Sequence, residues 1–131
     1  MRTPAAPPDR QQIGRAAEEA AARYLESRRL HILARNYRCR TGEIDIVAQD
    51  DRGVIVIAEV RLRADKRYGG AAASVDWKKQ RRIQRAACHL LARQPALGRH
   101  PMRFDVLDLA PDGADGYRIE WIRHAFEAAP R

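Results

Sequence analysis

Two stretches of the chain place hydrophobic residues at the spacing of an amphipathic helix. The first covers residues 10–29 and follows Asp9, a suitable N-cap. The second covers residues 75–93, where Ser74 or Asp76 fits the same role. Its apolar stripe consists of Ile83, Ala86, Ala87, Leu90 and Leu91. The pattern therefore predicts two helices, each with one buried face.

The other hydrophobic stretches are short and favour β-strands. They cover residues 30–38, two strands within 42–63, then 102–109 and 117–124. We expect a loop at 64–73 and a turn at 111–116. The order is αβββαββ, in which the first three strands suit an antiparallel meander and the long connection through the second helix suits a right-handed parallel crossover. The sequence thus predicts an α/β fold with a mixed sheet flanked by helices.

The turn of the hairpin within 42–63 sets its register. Residues 51–53 (Asp-Arg-Gly) suit a three-residue loop whose glycine takes the left-handed conformation. This loop pairs Asp50 with Val54, and the same register pairs Asp45 with Glu59. A two-residue loop would shift the register by one and put the two acids on different faces.

Alternation assigns the hairpin side chains to faces. In the first strand, one face holds Glu43, Asp45 and Val47, and the other holds Ile44, Ile46 and Ala48. In the second strand, one face holds Ile55, Ile57, Glu59 and Arg61. Carboxylates are costly to bury unless they are paired or bound to a cation, and like charges directly opposite each other destabilise a sheet. A cation between Asp45 and Glu59 would explain the arrangement.

Charge is divided between segments of opposite sign. The chain has a net charge of +8. Residues 41–59 hold one Arg and five acids, whereas residues 1–40 hold nine Arg and four acids and residues 60–103 hold twelve Lys or Arg and two acids. Basic segments attract phosphates, and the acids would repel them unless metal ions intervene. The charge distribution alone fits two interpretations equally: a nucleic-acid partner next to a metal site, or a solvated, Arg-rich surface.

Length and composition bound the class of protein. With 131 residues and 45% hydrophobic content, the chain suits one domain, which we place at 10–127 between tails at 1–9 and 128–131. No stretch has the length of a transmembrane span or the apolar run of a signal peptide, so we expect a cytoplasmic protein without a membrane partner. Cys39 and Cys88 form no metal-ligand pattern and are expected to be reduced thiols, with Cys88 in a helix core.

Asp45 followed by Glu59-Val60-Arg61 resembles the signature of the PD-(D/E)xK nuclease superfamily, whose αβββαβ core matches the predicted order. Over residues 11–127 the chain resembles more closely the YraN family of uncharacterised bacterial proteins, which is held to be restriction-endonuclease-like and related to Holliday-junction resolvases. The matching motifs are GRAAEEAA (14–21), NYRCRTGEIDIV (36–47), EVRLR (59–63), YGGAAASV (68–75), KKQ (78–80), RFDV (103–106) and IEWIRHAF (119–126).

The resemblance implies a restriction-endonuclease-like fold and a site for Mg²⁺ or Mn²⁺. Asp45, Glu59 and the Val60 carbonyl would hold the ion, and Glu18 would support the site from the first helix. Arg61 stands where the superfamily has a lysine. An arginine stays protonated and cannot act as a base, but it can hold a phosphate or a developing charge.

The residues expected to contact nucleic acid are Arg61, Arg63, Lys79 and Gln80. Lys79 and Gln80 flank the apolar stripe of the second helix and are expected to point toward the sheet. On the opposite face we expect a solvated row formed by Lys78, Arg81 and Arg85. Trp77 and Trp121 are expected to be packing residues.

The leading interpretation is a nucleic-acid-binding protein that acts on DNA as a Mg²⁺-dependent endonuclease. Resolvase-like enzymes are typically dimers, so the resemblance also implies a homodimer. One alternative is a non-catalytic nucleic-acid-binding module that retains the nuclease fold, and another is a protein–protein adaptor whose basic face meets an acidic partner. The arginine at position 61 favours the module, and the presence of Asp45 and Glu59 favours the enzyme.

Overall fold

The computed structural model describes residues 10–63, 75–114 and 116–128. In these ranges the element order is αβββαββ, as predicted, with a short 3₁₀ helix at Pro95–Arg99 after the second α-helix. The elements are α1 Arg10–Ser27, β1 His31–Cys39, β2 Gly42–Gln49, β3 Ile55–Leu62, α2 Trp77–Arg93, β4 Met102–Asp112 and β5 Gly116–Phe126. The predicted cap at Asp9, the loop at 64–73 and both tails lie largely or wholly outside the described residues.

The strands form one mixed sheet in the order β1-β2-β3-β4-β5. β1, β2 and β3 are an antiparallel meander, β3 and β4 are parallel, and β4 and β5 are antiparallel. α2 lies in the crossover between the two parallel strands, where the sequence predicted it. The predicted α/β fold, a mixed sheet flanked by helices, is confirmed.

Each face of the sheet is covered by one helix. The alanines of α1 and Leu25 pack against one face, in a cluster that includes Ile46 and Leu107. α2 covers the other face with the predicted stripe residues Ile83, Ala86, Ala87 and Leu90. Its N-cap is Asp76, whose carboxylate accepts a hydrogen bond from the backbone N–H of Lys79 at 2.8 Å. The two helices therefore lie on either side of the sheet, and side chains from both can reach the end of the β2–β3 hairpin.

The hairpin has the predicted register. The backbone N–H of Asp50 donates to the carbonyl of Val54 at 3.0 Å, and the ladder continues to the pair Ile46–Ala58. Gly53 has a φ of 89°, the left-handed conformation expected in the loop. Beyond Ile46–Ala58 the two strands have no further ladder pair, so Asp45 lies at the point where they separate.

Strict alternation fails in β2 at this point. Ile44 packs on the α2 side together with Val47, whereas Ile46 and Ala48 pack on the α1 side. The prediction that Ile44 shares a face with Ile46 and Ala48 was therefore wrong.

The neighbouring strand β1 has a matching irregularity. In β1, Ala34 and Tyr37 both pack on the α2 side although they are three residues apart. Between them Asn36 has a φ of 52° and lies across from Asp45 in the β1–β2 register. Asparagine tolerates this left-handed conformation better than most residues. The side chains of both strands thus change the face on which they pack at the position of Asn36.

Three smaller expectations are also corrected. β4 extends to Asp112 and β5 begins at Gly116, so the turn is shorter than the predicted 111–116. Cys88 is exposed on α2 instead of lying in its core. Trp77 is 61% exposed and is not a packing residue.

Among the described residues, neither helix has the length and hydropathy needed to cross a bilayer.

Candidate active site

A pocket of about 210 Å³ lies between the two helices, where β2 and β3 separate. Its walls carry four acids and one lysine among small and apolar residues. The lining residues are Gly14, Ala17 and Glu18 of α1, Glu43 and Asp45 of β2, Glu59, Val60 and Leu62 of β3, and Lys79 of α2. The structure therefore brings together Glu18, Asp45, Glu59, Val60 and Lys79, which the sequence singled out on four different elements.

Asp45 is tied to β3 by its side chain. Its Oδ2 accepts a hydrogen bond from the backbone N–H of Val60 at 2.8 Å. This bond joins the strands beyond the last ladder pair and holds the Asp45 carboxylate beside Glu59, the preceding residue of β3. The proximity predicted from the hairpin register is thus achieved through a side-chain bond to the backbone.

Glu59 is a buried acid next to another acid. It is only 4% exposed. Burial, and next the charge of Asp45, raise the pKa of Glu59 to about 8, against the opposing effect of Lys79. In the absence of another cation, the Glu59 carboxyl therefore holds a proton near neutral pH, and a bound cation would favour its ionised form.

Lys79 enters the pocket from the first turn of α2. Its Nζ lies 2.6 Å from Oε1 of Glu59. The Asp76 cap holds the same turn of the helix through the backbone N–H of Lys79, which fixes the direction of the lysine side chain. A positive charge thus stands next to the two acids, supplied by the helix instead of by β3.

Glu18 and Asn36 form the α1 side of the site. Nδ2 of Asn36 donates to Oε1 of Glu18 at 2.8 Å, and Nε of Arg35 lies 3.6 Å from the same oxygen. Burial and the charge of Asp45 raise the pKa of Glu18 above its ordinary value, while Arg35 and Asn36 lower it. The Asn36 side chain therefore holds Glu18 toward the acids, while its backbone accompanies the reversal that orients Asp45.

The other predicted site residues lie outside the pocket lining. Nε of Arg63 is 2.9 Å from both carboxylate oxygens of Asp108 in β4. Arg61 is opposite Asp108 in the β3–β4 register. Burial raises the pKa of Asp108 above its ordinary value, and Arg63 and, to a smaller extent, Arg61 oppose that rise. The amide of Gln80 donates to the carbonyl of Val75 at 3.0 Å. The side chain of Arg63 is thus directed to β4 and that of Gln80 to the start of α2.

The pocket acids fit a hard divalent ion that keeps much of its water. No three Asp, Glu, His or Cys side chains within the described ranges are grouped as a metal cage. Mg²⁺ commonly binds through one or two carboxylates and retains several waters, whereas structural Zn²⁺ needs four protein ligands. Burial, and next the charge of Asp45, raise the pKa of Glu59, and such an ion would offset both effects. Asp45 and Glu59 therefore fit Mg²⁺ or Mn²⁺.

Sequence reasoning missed Asn36. Its only signal was its residue type: asparagine inside a strand is unusual and is enriched in the left-handed conformation. The pairing of Arg63 with Asp108 was also missed, because it joins residues 45 positions apart whose neighbourhood depends on the parallel β3–β4 register.

Comparison with known proteins assigns the chain to a family. A family model described as "Uncharacterised protein family UPF0102" matches residues 17–109. The chain belongs to the UPF0102 family. This confirms the resemblance to the YraN family. Among UPF0102 proteins, that of Ralstonia nicotianae is 51% identical over 92% of this chain and 90% of its own length. Those of Alcanivorax borkumensis and Pseudomonas putida are 48% and 44% identical, over 86% and 95% of this chain and 90% and 98% of their own lengths.

A weak structural likeness also exists to the structure titled "The structure of Pyrococcus Furiosus SfsA in complex with Ca2+". It has a TM-score of 0.36 and 15% sequence identity, and it covers 88% of this chain and 64% of that chain. A likeness at this level supports no conclusion about the UPF0102 chain.

Proposed function

We propose that this UPF0102 protein binds nucleic acid, with DNA as the expected substrate, and hydrolyses its phosphodiester backbone with the help of a divalent metal ion. The observation that carries the proposal is the meeting of Asp45, Glu59 and Lys79 in one pocket. Two acids and a lysine at the end of a β-hairpin are the groups that metal-assisted phosphoryl chemistry requires.

Each residue of the pocket has its own role in this proposal. Asp45 and Glu59 would hold the ion, with Val60 beside them, and Glu18 adds negative charge from α1. Lys79 brings an ammonium group to the same pocket, where it would attract a phosphate oxygen and stabilise the charge that grows on it. A bound Mg²⁺ or Mn²⁺ would polarise the phosphate and acidify a water molecule.

Lys79 offers an explanation for the arginine at position 61. The superfamily lysine would follow Glu59 on β3, but here Arg61 is opposite Asp108 and the ammonium group beside Glu59 comes from α2. A lysine contributed by a helix can act on the same phosphate, provided that its Nζ reaches the acid. The departure at position 61 is therefore compatible with catalysis.

A second candidate function is binding of nucleic acid without cleavage. The contact that favours it is the same 2.6 Å pair between Lys79 and Glu59. An acid already paired with a lysine has part of its charge neutralised inside the protein and needs a metal ion less. In that case the pocket would be a structural ion pair beneath a basic surface.

Cleavage assays separate the two functions. Wild type would be incubated with single-stranded, duplex, flap and four-way-junction DNA, and with RNA, in Mg²⁺, Mn²⁺ or chelator. We expect cleavage of at least one substrate that requires the ion. Asp45→Asn and Lys79→Gln should each lower the rate by about a hundredfold or more, as loss of one charge-stabilising group commonly does.

Two control variants each remove a charge of the same sign at an exposed position outside the pocket. Asp51→Asn changes an exposed acid of the hairpin loop, and Arg93→Gln changes an exposed cation in the last turn of α2. Both should keep wild-type rates. If wild type and Arg61→Lys cleave no substrate in either ion while wild type still binds nucleic acid, the enzyme is excluded and the binding module stands.

A further inference from the structure

The outward side of the first half of α2 is basic and carries an aromatic ring. We call this the outer α2 surface, and it consists of Trp77, Lys78, Arg81, Arg82 and Arg85, which line one shallow depression. All five residues are exposed. None of them lines the acidic pocket, which α2 reaches through Lys79. The surface is therefore separate from the candidate active site but belongs to the same helix.

Within residues 10–63, 75–114 and 116–128, the cations of the outer α2 surface have no acidic partners. α2 contains no Asp or Glu, and no carboxylate in the described part of the chain forms a salt bridge with any of these four cations. Lys78 and Arg82, like Arg81 and Arg85, are four residues apart, a spacing at which like charges repel and destabilise a helix. A polyanion bound along the helix would remove this repulsion, so the charge pattern is complementary to a phosphate backbone.

Trp77 distinguishes this surface from a plain basic helix face. It is 61% exposed, although burial of a tryptophan side chain would be favourable. The guanidinium of Arg81 lies 4.7 Å from its ring centroid and restrains it on the first turn of α2. An exposed, restrained aromatic ring among cations is the arrangement on which unpaired bases stack, whereas bases inside a duplex are not accessible to it.

From these contacts we infer that the outer α2 surface binds single-stranded nucleic acid, with Trp77 stacking on an unpaired base and the cations contacting the flanking phosphates. This inference deepens the proposed function and rests on it. Because Lys78 and Lys79 are consecutive, a strand held on this surface runs beside the acidic pocket. The preferred substrate class is accordingly a strand with unpaired bases near the pocket.

The test compares three probes that differ in the bases they expose. They are a fluorescein-labelled oligothymidylate, an abasic strand of equal length and a blunt duplex, titrated with the full chain in chelator so that no cleavage occurs. Trp77→Ala should weaken oligothymidylate binding by about tenfold and leave abasic-strand and duplex binding unchanged. Trp77→Phe keeps an aromatic ring and should stay near wild type. Circular dichroism confirms that the variants are folded.

The phosphate contacts are tested with charge variants on the same probes. Lys78→Gln and Arg85→Gln should weaken binding of all three probes alike and reduce the salt dependence, by about 0.7 in the logarithmic slope per lost contact on single strands. Arg93→Gln removes one charge from the end of the same helix and should behave as wild type.

The outcomes separate this inference from the proposed function. If wild type binds nucleic acid and Trp77→Ala is indistinguishable from it on oligothymidylate, the stacking inference is wrong and nucleic-acid binding stands. If poly-glutamate competes as well as oligothymidylate does, the surface is a site for acidic protein and the inference is wrong. If no probe binds at low salt, both the inference and the proposed function are wrong.

Discussion

Glu59 combines burial, an acidic neighbour and a lysine partner in one residue. It lies within β3 directly after four apolar residues, is almost fully buried, and faces both an acid and a lysine. If this position of β3 served only packing, it would carry another valine or isoleucine, since these residues are buried without an electrostatic cost. The cost of keeping an acid there is expressed in its raised pKa.

That pKa makes stability depend on pH in a defined direction. Between its ordinary value of 4.5 and about 8, the folded protein keeps a proton on Glu59 that the unfolded chain has lost. The free energy of unfolding therefore falls as pH rises through this window, by up to about 1.4 kcal/mol per pH unit from this group. Glu59→Gln cannot ionise, so its stability should fall less over the same window.

The measurement is urea unfolding of wild type and Glu59→Gln from pH 5 to pH 8, without divalent ions. Relative to wild type, the variant should gain stability steadily as the pH rises. Glu26→Gln, which removes an exposed acid of α1, should keep the wild-type slope. Parallel curves for wild type and Glu59→Gln would show that the pKa of Glu59 is not raised.

Asn36 combines a backbone role and a side-chain role. Alanine at this position loses the hydrogen bond to Glu18 and also strains the left-handed backbone, whereas glycine loses only the bond. Asn36→Ala should therefore be less stable than Asn36→Gly, by about 1 kcal/mol. Chemical denaturation of the two variants measures the difference. If the two variants are equally stable, the left-handed backbone at Asn36 does not explain the reversal of side-chain facing in β1 and β2.

At the scale of elements, β2 approaches α2 closely at Gly42. A Cβ on Gly42 would lie 1.9 Å from the backbone carbonyl oxygen of Arg82, so this strand and helix are in contact through their backbones. Only glycine allows that distance, which places the acidic end of β2 next to the first turns of α2. The contact thus helps to set the separation between Asp45 and Lys79.

Gly42→Ala should separate the strand from the helix. We expect a loss of stability of about 3 kcal/mol, because the clash is with backbone that cannot rotate away. Gly14→Ala is the matched control: Gly14 lies in α1 with nothing within 4 Å of an added Cβ, so alanine should stabilise the helix by about 0.5–1 kcal/mol. Thermal unfolding of both variants gives the comparison, and a harmless Gly42→Ala would contradict the close packing.

The elements also show which features were accessible from the sequence. Helix spacing, strand alternation and the turn of the β2–β3 hairpin are local, and they predicted the element order and the register of Asp50 with Val54. The reversal at Asn36 depends on one backbone angle that alternation does not encode. The positions of Arg61 and Arg63 depend on Asp108, which a long crossover brings beside them. Thus the meeting of Asp45 with Glu59 was predictable, and the direction of the β3 arginines was not.

At the scale of the whole molecule, charge is arranged around one pocket. The acids of α1, β2 and β3 meet at its walls, while α2 carries six basic residues and directs one of them, Lys79, inward. The result is an acidic centre beside a basic helix. A phosphate chain would be attracted by the helix and repelled by the centre unless a cation occupied it, so we expect the pocket to bind a metal ion.

Titration with Mn²⁺ shows whether the pocket binds a metal ion. Mn²⁺ can be titrated into the full chain at neutral pH and the free ion followed by electron paramagnetic resonance, with Mg²⁺ added afterwards as a competitor. We expect one Mn²⁺ per chain, displaced by Mg²⁺, lost in Asp45→Asn and in Glu59→Gln, and retained in Asp51→Asn. If wild type binds no Mn²⁺, or if Asp45→Asn and Glu59→Gln bind it as wild type does, the pocket is not a metal site.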